Sequence, residues 1–150
     1  MHYLHPNPLL WVSLIVLLGW ASYADIFYRK IPNTLILCGL LMVLGFRLYF
    51  NSPSWLTLAL GGGVGLLVYL PFFWKGVMGA GDVKLMMIVG FFLGWSGVVM
   101  SALMAALLGG FLVLPAYSFF KKKKVPYGLV IALGVMTYGW SLYWHIKWLL

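Results

Sequence analysis

The chain has 150 residues, of which 64% are hydrophobic and only 8% are charged. A soluble domain carries about 25% charged residues, so this composition excludes an ordinary soluble protein and predicts an all-α integral membrane protein. The formal net charge is +8. Because the cations stand at the ends of apolar segments, they favour anionic lipid of the bilayer, and not nucleic acid, as their partner.

Six apolar segments are candidates for transmembrane helices, since a helix needs roughly 20 residues to cross the hydrocarbon. Their approximate ranges are 9–24, 34–50, 55–74, 82–94, 97–120 and 126–148. The fourth segment is the shortest, and a helix over 83–94 is roughly 18 Å long. A helix of that length cannot span alone, and at depth it is tolerated only where protein or a watery cavity encloses its backbone.

The positive charges predict the orientation, because cytoplasmic loops carry the excess of lysine and arginine. One face receives Arg29, Lys30, Lys75, Lys84 and Lys121 to Lys124, and the other receives Arg47 and Lys147. Six transmembrane helices with both termini outside the cytoplasm are therefore expected. An alternative start, a signal peptide cleaved after Ala24, is disfavoured because no lysine or arginine precedes the first apolar run.

Asp25 and Asp82 are the two acidic residues of the chain. A carboxylate costs roughly 2.5–3.5 kcal/mol at the centre of a membrane helix on insertion scales, so two retained carboxylates predict a joint function. Both fall near the predicted cytoplasmic ends of their segments, where helix packing can bring them together. Two adjacent carboxylates that share a proton can hydrolyse a peptide bond as base and acid, without a metal or a cofactor.

Each aspartate also has a purely structural interpretation. Asp25 can pair with Arg29 at i+4, and Asp82 can be the N-cap of the fourth segment. A different function is a carrier or channel in which the two carboxylates bind a cation or relay protons. Carriers often contain internal repeats, and the chain shows no convincing repeat.

The stretch Gly79-Ala80-Gly81-Asp82-Val83-Lys84 resembles the Gly-x-Gly-Asp-x-Lys motif of the type IV prepilin leader peptidases. Asp25 with Ile31-Pro32-Asn33 is similar to the first aspartate motif of that family, and Pro126-Tyr127-Gly128 to its Pro-aromatic-Gly element. Together the three motifs imply a single transmembrane prepilin-peptidase-like domain over residues 1–150. They also imply an aspartic endopeptidase of the bacterial inner membrane, with Asp25 and Asp82 catalytic, no cofactor, and a prepilin or pilin-like substrate cleaved at the cytoplasmic face.

The same resemblance implies substrate contacts at Gly79, Gly81, Lys84, Pro126, Tyr127 and Gly128. Gly79 and Gly81 are expected to permit positive φ and a close approach of the backbone to an extended substrate. For Lys84, anchoring to lipid head groups is the alternative, since on a helix this side chain points about 200° away from Asp82.

Larger members of the family carry a cysteine-rich cytoplasmic insertion and also N-methylate the new N-terminus of the product. This chain has one cysteine, Cys38, and few residues between Asp25 and the second segment. It therefore looks most like the compact peptidases of tight-adherence (Flp) pili, and we expect cleavage without methylation. A non-catalytic assembly factor of a pilus or secretion apparatus is a further alternative.

Several glycines predict close contacts between helices. The pattern Gly61-x-x-x-Gly65 is typical of membrane helices whose backbones approach each other. The same role is expected for Gly62, Gly63, Gly109 and Gly110.

Overall fold

The computed structural model describes residues 8–50, 54–113 and 126–149, and the regular structure within these ranges is helical throughout. The α-helices are α1 Pro8–Tyr28, α2 Asn33–Phe50, α3 Trp55–Trp74, α4 Ala80–Leu108 and α5 Tyr127–Leu149, and α4 continues into a π-helix over Gly109–Val113. Within these ranges, four stretches are long and apolar enough to cross a membrane: Pro8–Tyr28, Asn33–Phe50, Trp55–Trp74 and Ala80–Phe111. This confirms the all-α membrane class, although not the number of six spans. Lys121 to Lys124 and the end of the predicted fifth segment lie outside the described residues.

The ends of the helices follow from local chemistry. The side chain of Ser54 accepts a hydrogen bond from the backbone N–H of Thr57 at 3.2 Å, which caps the start of α3. At the end of α1, the N–H of Arg29 donates to the carbonyl of Asp25 at 3.0 Å, and Arg29 takes a positive φ of 52°. The predicted range 9–24 placed Asp25 just beyond the end of the first segment. Because α1 extends to Tyr28, Asp25 instead lies inside this helix, in its last turn.

The predicted fourth and fifth segments form one continuous helical assignment, α4, but a kink at Gly94 divides it close to the predicted boundary. Inside α4 only Gly94 leaves the helical conformation, with φ of 73° and ψ of 178°. Glycine adopts such a positive φ without the steric cost that a Cβ would impose. The helix resumes at Trp95, which divides α4 into a first leg, residues 80–93, and a second leg, residues 95–108.

The two legs of α4 run in opposite directions. The second leg and the π-helix pair with α5 in antiparallel order: Gly97 with Tyr138, Ala105 with Gly134, and Gly109 with Val130. A straight helix would hold Asp82 and Gly109 about 40 Å apart. However, Val130 is less than one helical turn from Tyr127, which lies within electrostatic range of Asp82. The chain therefore reverses at Gly94, and the start of the first leg and the end of the second lie at the same end of the bundle.

The first leg packs against α3 through direct backbone contact. Every fourth residue of α3 faces the first leg in antiparallel order: Thr57 with Gly94, Gly61 with Gly90, and Gly65 with Met86. A Cβ on Gly61 would collide with the carbonyl oxygen of Gly90, and one on Gly65 with that of Met86. The packing predicted from the Gly61-x-x-x-Gly65 pattern is thus confirmed.

The other glycines expected at helix contacts divide into two groups. A Cβ on Gly62 would meet the ring of Phe91, and one on Gly109 the side chain of Val130. Among the described residues, nothing lies within 4 Å of a Cβ on Gly63 or Gly110, so a close contact at these two positions is not found there.

The first leg is enclosed by the surrounding helices. Its residues Leu85, Met86, Ile88 and Val89 are 0% exposed, and α1, α2 and α3 all contact α4. A helix of about 21 Å can therefore end inside the bundle at Gly94, because protein and not lipid surrounds its backbone.

The cations of the described residues separate by position. Lys84 lies beside Asn33, at the end of the bundle that contains Asp25 and Asp82. Arg47 lies at the opposite end of α2, with its guanidinium 5.0 Å from the ring centroid of Trp55. This separation agrees with the two charged faces expected from the sequence.

The contact between α3 and the first leg predicts different outcomes for two neighbouring glycines. Gly61→Ala should destabilise the protein by about 1–3 kcal/mol, because the new methyl group displaces the backbone of Gly90. Gly63→Ala should be neutral or slightly stabilising, since alanine has the higher helix propensity. Thermal unfolding in detergent measures both, and equal midpoints for the two variants would contradict the contact.

Candidate active site

Two carboxylates from distant parts of the sequence meet at one end of the helical bundle. Asp25 lies near the end of α1 and Asp82 near the start of α4, and they are 9% and 7% exposed. They are close enough for their charges to interact. The sequence-based expectation that helix packing brings the two together is met by the geometry.

Asp25 is held by the first turn of α5. Its Oδ2 accepts a hydrogen bond of 2.7 Å from the backbone N–H of Gly128. The carboxylate thus lies at the N-terminus of a helix, where free N–H groups and the helix dipole favour negative charge. A Cβ on Gly128 would lie 3.1 Å from both Cβ and Oδ2 of Asp25, so this close seating depends on glycine.

Asp82 is held by the N-terminus of its own helix. Gly79 is the N-cap of α4 and Asp82 the third helical residue, so the expectation that Asp82 is itself the N-cap is wrong. Its Oδ2 accepts a 3.0 Å hydrogen bond from the N–H of Gly79, which is the N3 half of a capping box. Both carboxylates are therefore stabilised by helix N-termini.

The second oxygen of Asp82 is unusual. Asp82 Oδ1 is buried and has no hydrogen-bond partner within the part of the chain that the structure describes. A buried polar atom without a partner costs about 1–3 kcal/mol. This oxygen can therefore form a hydrogen bond with a polar group of a molecule that enters the site.

The two glycines of the Gly-x-Gly-Asp stretch have a different role from the one expected. Gly79 has φ of −79° and Gly81 is helical, so the expected positive φ is wrong at both positions. A Cβ on Gly81 would lie 2.9 Å from Cβ of Ile31. Glycine at 81 is therefore required for close contact with the buried Ile31, which follows Asp25 in the first motif.

A side-chain hydrogen bond connects the same two motifs a second time. The ammonium of Lys84 donates to Oδ1 of Asn33 at 3.1 Å. With the contact between Gly81 and Ile31, this bond ties the segment between α1 and α2 to the start of α4. Lys84 thus has a protein partner, Asn33, at the surface of the site.

The Pro126-Tyr127-Gly128 stretch opens α5 beside the carboxylates. Pro126 precedes the helix, and its carbonyl accepts a 3.3 Å hydrogen bond from the N–H of Val130. Tyr127 is half-buried and lies within electrostatic range of Asp82. The structure therefore places all the residues predicted for the site at one end of the bundle.

One residue of this neighbourhood, Tyr69 of α3, was not among the residues predicted for the site. Its side chain is 5% exposed and lies within electrostatic range of Asp82. The signal was present in the sequence, because Tyr69 follows Gly61 and Gly65 at the same spacing of four residues.

Comparison with known proteins agrees with these motifs. A model of the type IV leader peptidase family matches residues 12–114, which include both aspartates. A curated protein of Bacillus subtilis (strain 168), the prepilin leader peptidase/N-methyltransferase, is 31% identical over 129 residues, or 82% of this chain and 52% of that protein. The chain spans about half the length of this relative. No solved structure matches the chain.

The bond between Lys84 and Asn33 predicts coupled effects on stability. Lys84→Met and Asn33→Ala should each lower stability by about 1 kcal/mol or less, and the double variant should lose no more than either single variant. Thermal unfolding of the four proteins in detergent measures the coupling. Lys75→Met, which removes an exposed lysine elsewhere, controls for the loss of charge. Additive losses, or a loss that depends on anionic lipid, would instead indicate head-group anchoring.

Proposed function

Because the chain belongs to the type IV leader peptidase family, we propose that it is a membrane aspartic endopeptidase that removes the short basic leader from a prepilin or pilin-like protein. The main support is the meeting of Asp25 and Asp82, buried, within range of each other's charge, and seated on two helix N-termini. Placing a carboxylate among apolar membrane helices costs free energy, and a role in packing alone does not explain why two are retained.

The proposed reaction needs the two carboxyl groups and one water molecule. One carboxylate is ionised and takes a proton from water as the water oxygen attacks the scissile carbonyl carbon. The other is protonated and donates its proton to the carbonyl oxygen, giving a tetrahedral intermediate. Collapse of the intermediate breaks the C–N bond. The aspartate that took the proton from water gives it to the leaving nitrogen, and the other aspartate takes a proton back from a hydroxyl of the intermediate, which restores the singly protonated pair. Because the charge of Asp25 acts on Asp82, ionisation of one disfavours ionisation of the other, which favours the singly protonated pair that this sequence of steps requires.

The substrate is proposed to pass beside the starts of α4 and α5. Gly79, Lys84 and Tyr127 border the carboxylates there and are only partly covered by protein. Gly81 and Gly128 contact Ile31 and Asp25 instead. We assign these two glycines to the placement of the aspartates, with Pro126 setting the start of α5.

The proposed topology has six membrane crossings, with both termini outside and the active site facing the cytoplasm across the bacterial inner membrane. The antiparallel legs of α4 support it, because they supply two of the six segments. The location of Lys84 at the aspartate end, with Arg47 opposite, agrees with the positive-inside rule.

Cleavage without methylation is proposed as well. Only residues 29–32 separate α1 from α2, so the cysteine-rich insertion of the larger family members has no counterpart at this position. The Bacillus subtilis relative carries both activities in its name, but the chain spans about half of it.

Removal of either ionisable group tests the proposal. Asp25→Asn and Asp82→Asn should each lower cleavage of a prepilin in membranes by about 10⁴-fold or more, because a general acid/base pair acts as a unit. The substrate should carry a basic leader and a glycine before its apolar helix.

Gly63→Ala serves as a control, since a methyl group at this position enters open space and it should cleave like the parent. Accumulation of each variant in the membrane is checked alongside. Cleavage at the parental rate by both asparagine variants would contradict the proposal and favour a carrier or a non-catalytic assembly factor.

Metal removal gives a second test. The two-carboxylate mechanism requires no metal ion, so EDTA or 1,10-phenanthroline should leave the cleavage rate within about two-fold of the untreated enzyme. A loss of activity that added zinc restores would contradict the mechanism.

A further inference from the structure

Tyr69 is brought to the active site by the contact between α3 and the first leg of α4. Gly61 faces Gly90 and Gly65 faces Met86. One helical turn further in each direction, the same antiparallel order pairs Tyr69 with Asp82. The electrostatic interaction between Tyr69 and Asp82 agrees with this register.

The hydroxyl of Tyr69 has no hydrogen-bond partner within residues 8–50, 54–113 and 126–149. Its ring packs near Phe72, with 6.2 Å between the ring centroids, and the residue is 5% exposed. A buried phenol usually finds a hydrogen-bond partner. Phenylalanine would fill the same apolar space without a polar group to satisfy.

Tyr69 and Asp82 interact electrostatically. Within the described residues, Asp82 Oδ1 is an acceptor without a partner, and no hydrogen bond to the Tyr69 hydroxyl is present there. They do not bond to each other directly, although the charge of Asp82 acts on the phenol. A polar group that enters between them would satisfy both, and the peptide bond of a substrate provides such a group.

We propose that the Tyr69 hydroxyl donates a hydrogen bond to the oxygen of the scissile carbonyl and stabilises the negative charge that develops on it. This inference rests on the proposed peptidase function. The phenol keeps its proton throughout. The attacking water still gives its proton to the ionised aspartate, and the carbonyl oxygen still receives one from the protonated aspartate. Tyr69 acts on the charge that is present between these two transfers.

The test is prepilin cleavage by Tyr69→Phe, measured over a range of substrate concentrations. Removal of one donor from a developing oxyanion lowers kcat by about 10²- to 10³-fold. KM should stay within about two-fold of the parent, because the bond is made mainly in the transition state. A purely structural role would instead lower the amount of folded enzyme and leave kcat per folded molecule unchanged.

Tyr138→Phe is the matched control. Tyr138 is a partly buried tyrosine that faces Gly97 at the far end of the bundle, and its variant should keep parental kcat and KM. A Tyr69→Phe enzyme with kcat within two-fold of the parent would overturn the inference, as would a change in KM alone. In both cases the proposed peptidase function would still be supported, provided that the parent cleaves prepilin and Asp82→Asn does not. If the parent cleaves no prepilin, the function fails and the inference fails with it.

The placement of Tyr69 is tested without catalysis. In a Cys38→Ala background, Tyr69→Cys combined with Asp82→Cys should be joined by a short bifunctional thiol reagent in membranes. Leu67→Cys combined with Asp82→Cys should not be joined, since Leu67 is 64% exposed on another face of α3. Absence of the first cross-link would overturn the proposed contact.

Discussion

The burial of two carboxylates in an apolar bundle is the constraint on which the rest of the structure depends. An ionisable group in such surroundings needs hydrogen bonds or opposite charge. Each aspartate obtains a backbone N–H at the start of a helix, Asp25 from Gly128 in α5 and Asp82 from Gly79 before α4. Helix N-termini provide donors and a positive potential without a further charged side chain. The chain can thus hold two acids together while Arg29, Lys30, Lys75 and Lys84 lie at the surface.

The reversal at Gly94 makes this arrangement possible. Were α4 a single straight helix, its second leg would lead away from Asp82 and could not meet α5 near Asp25. Because the chain turns back, α5 begins beside both carboxylates. The turn lies inside the protein, against Thr57 of α3. A break in a helix at membrane depth is tolerated when protein covers it.

The motif residues act largely on each other. Gly81 admits Ile31, Lys84 bonds to Asn33, and Gly128 seats Asp25. These contacts hold the starts of α2, α4 and α5 together beside the end of α1, where Asp25 lies. The first aspartate motif and the Gly-x-Gly-Asp-x-Lys stretch are therefore parts of one structural unit, and their glycines maintain close contact and not unusual backbone conformation.

Composition and charge by themselves determined the membrane class, the helical segments and the two aspartates, because hydrocarbon demands apolar helices and makes each retained carboxylate costly. The Gly61-x-x-x-Gly65 spacing also indicated a close helix contact, since small residues at one face of a helix are visible in the sequence. Tertiary structure alone decided what that contact brings together. The helix start at Ala80, the reversal at Gly94 and the register that sets Tyr69 beside Asp82 arise from packing between segments distant in sequence, and a local pattern carries no information on which partner a helix face will meet.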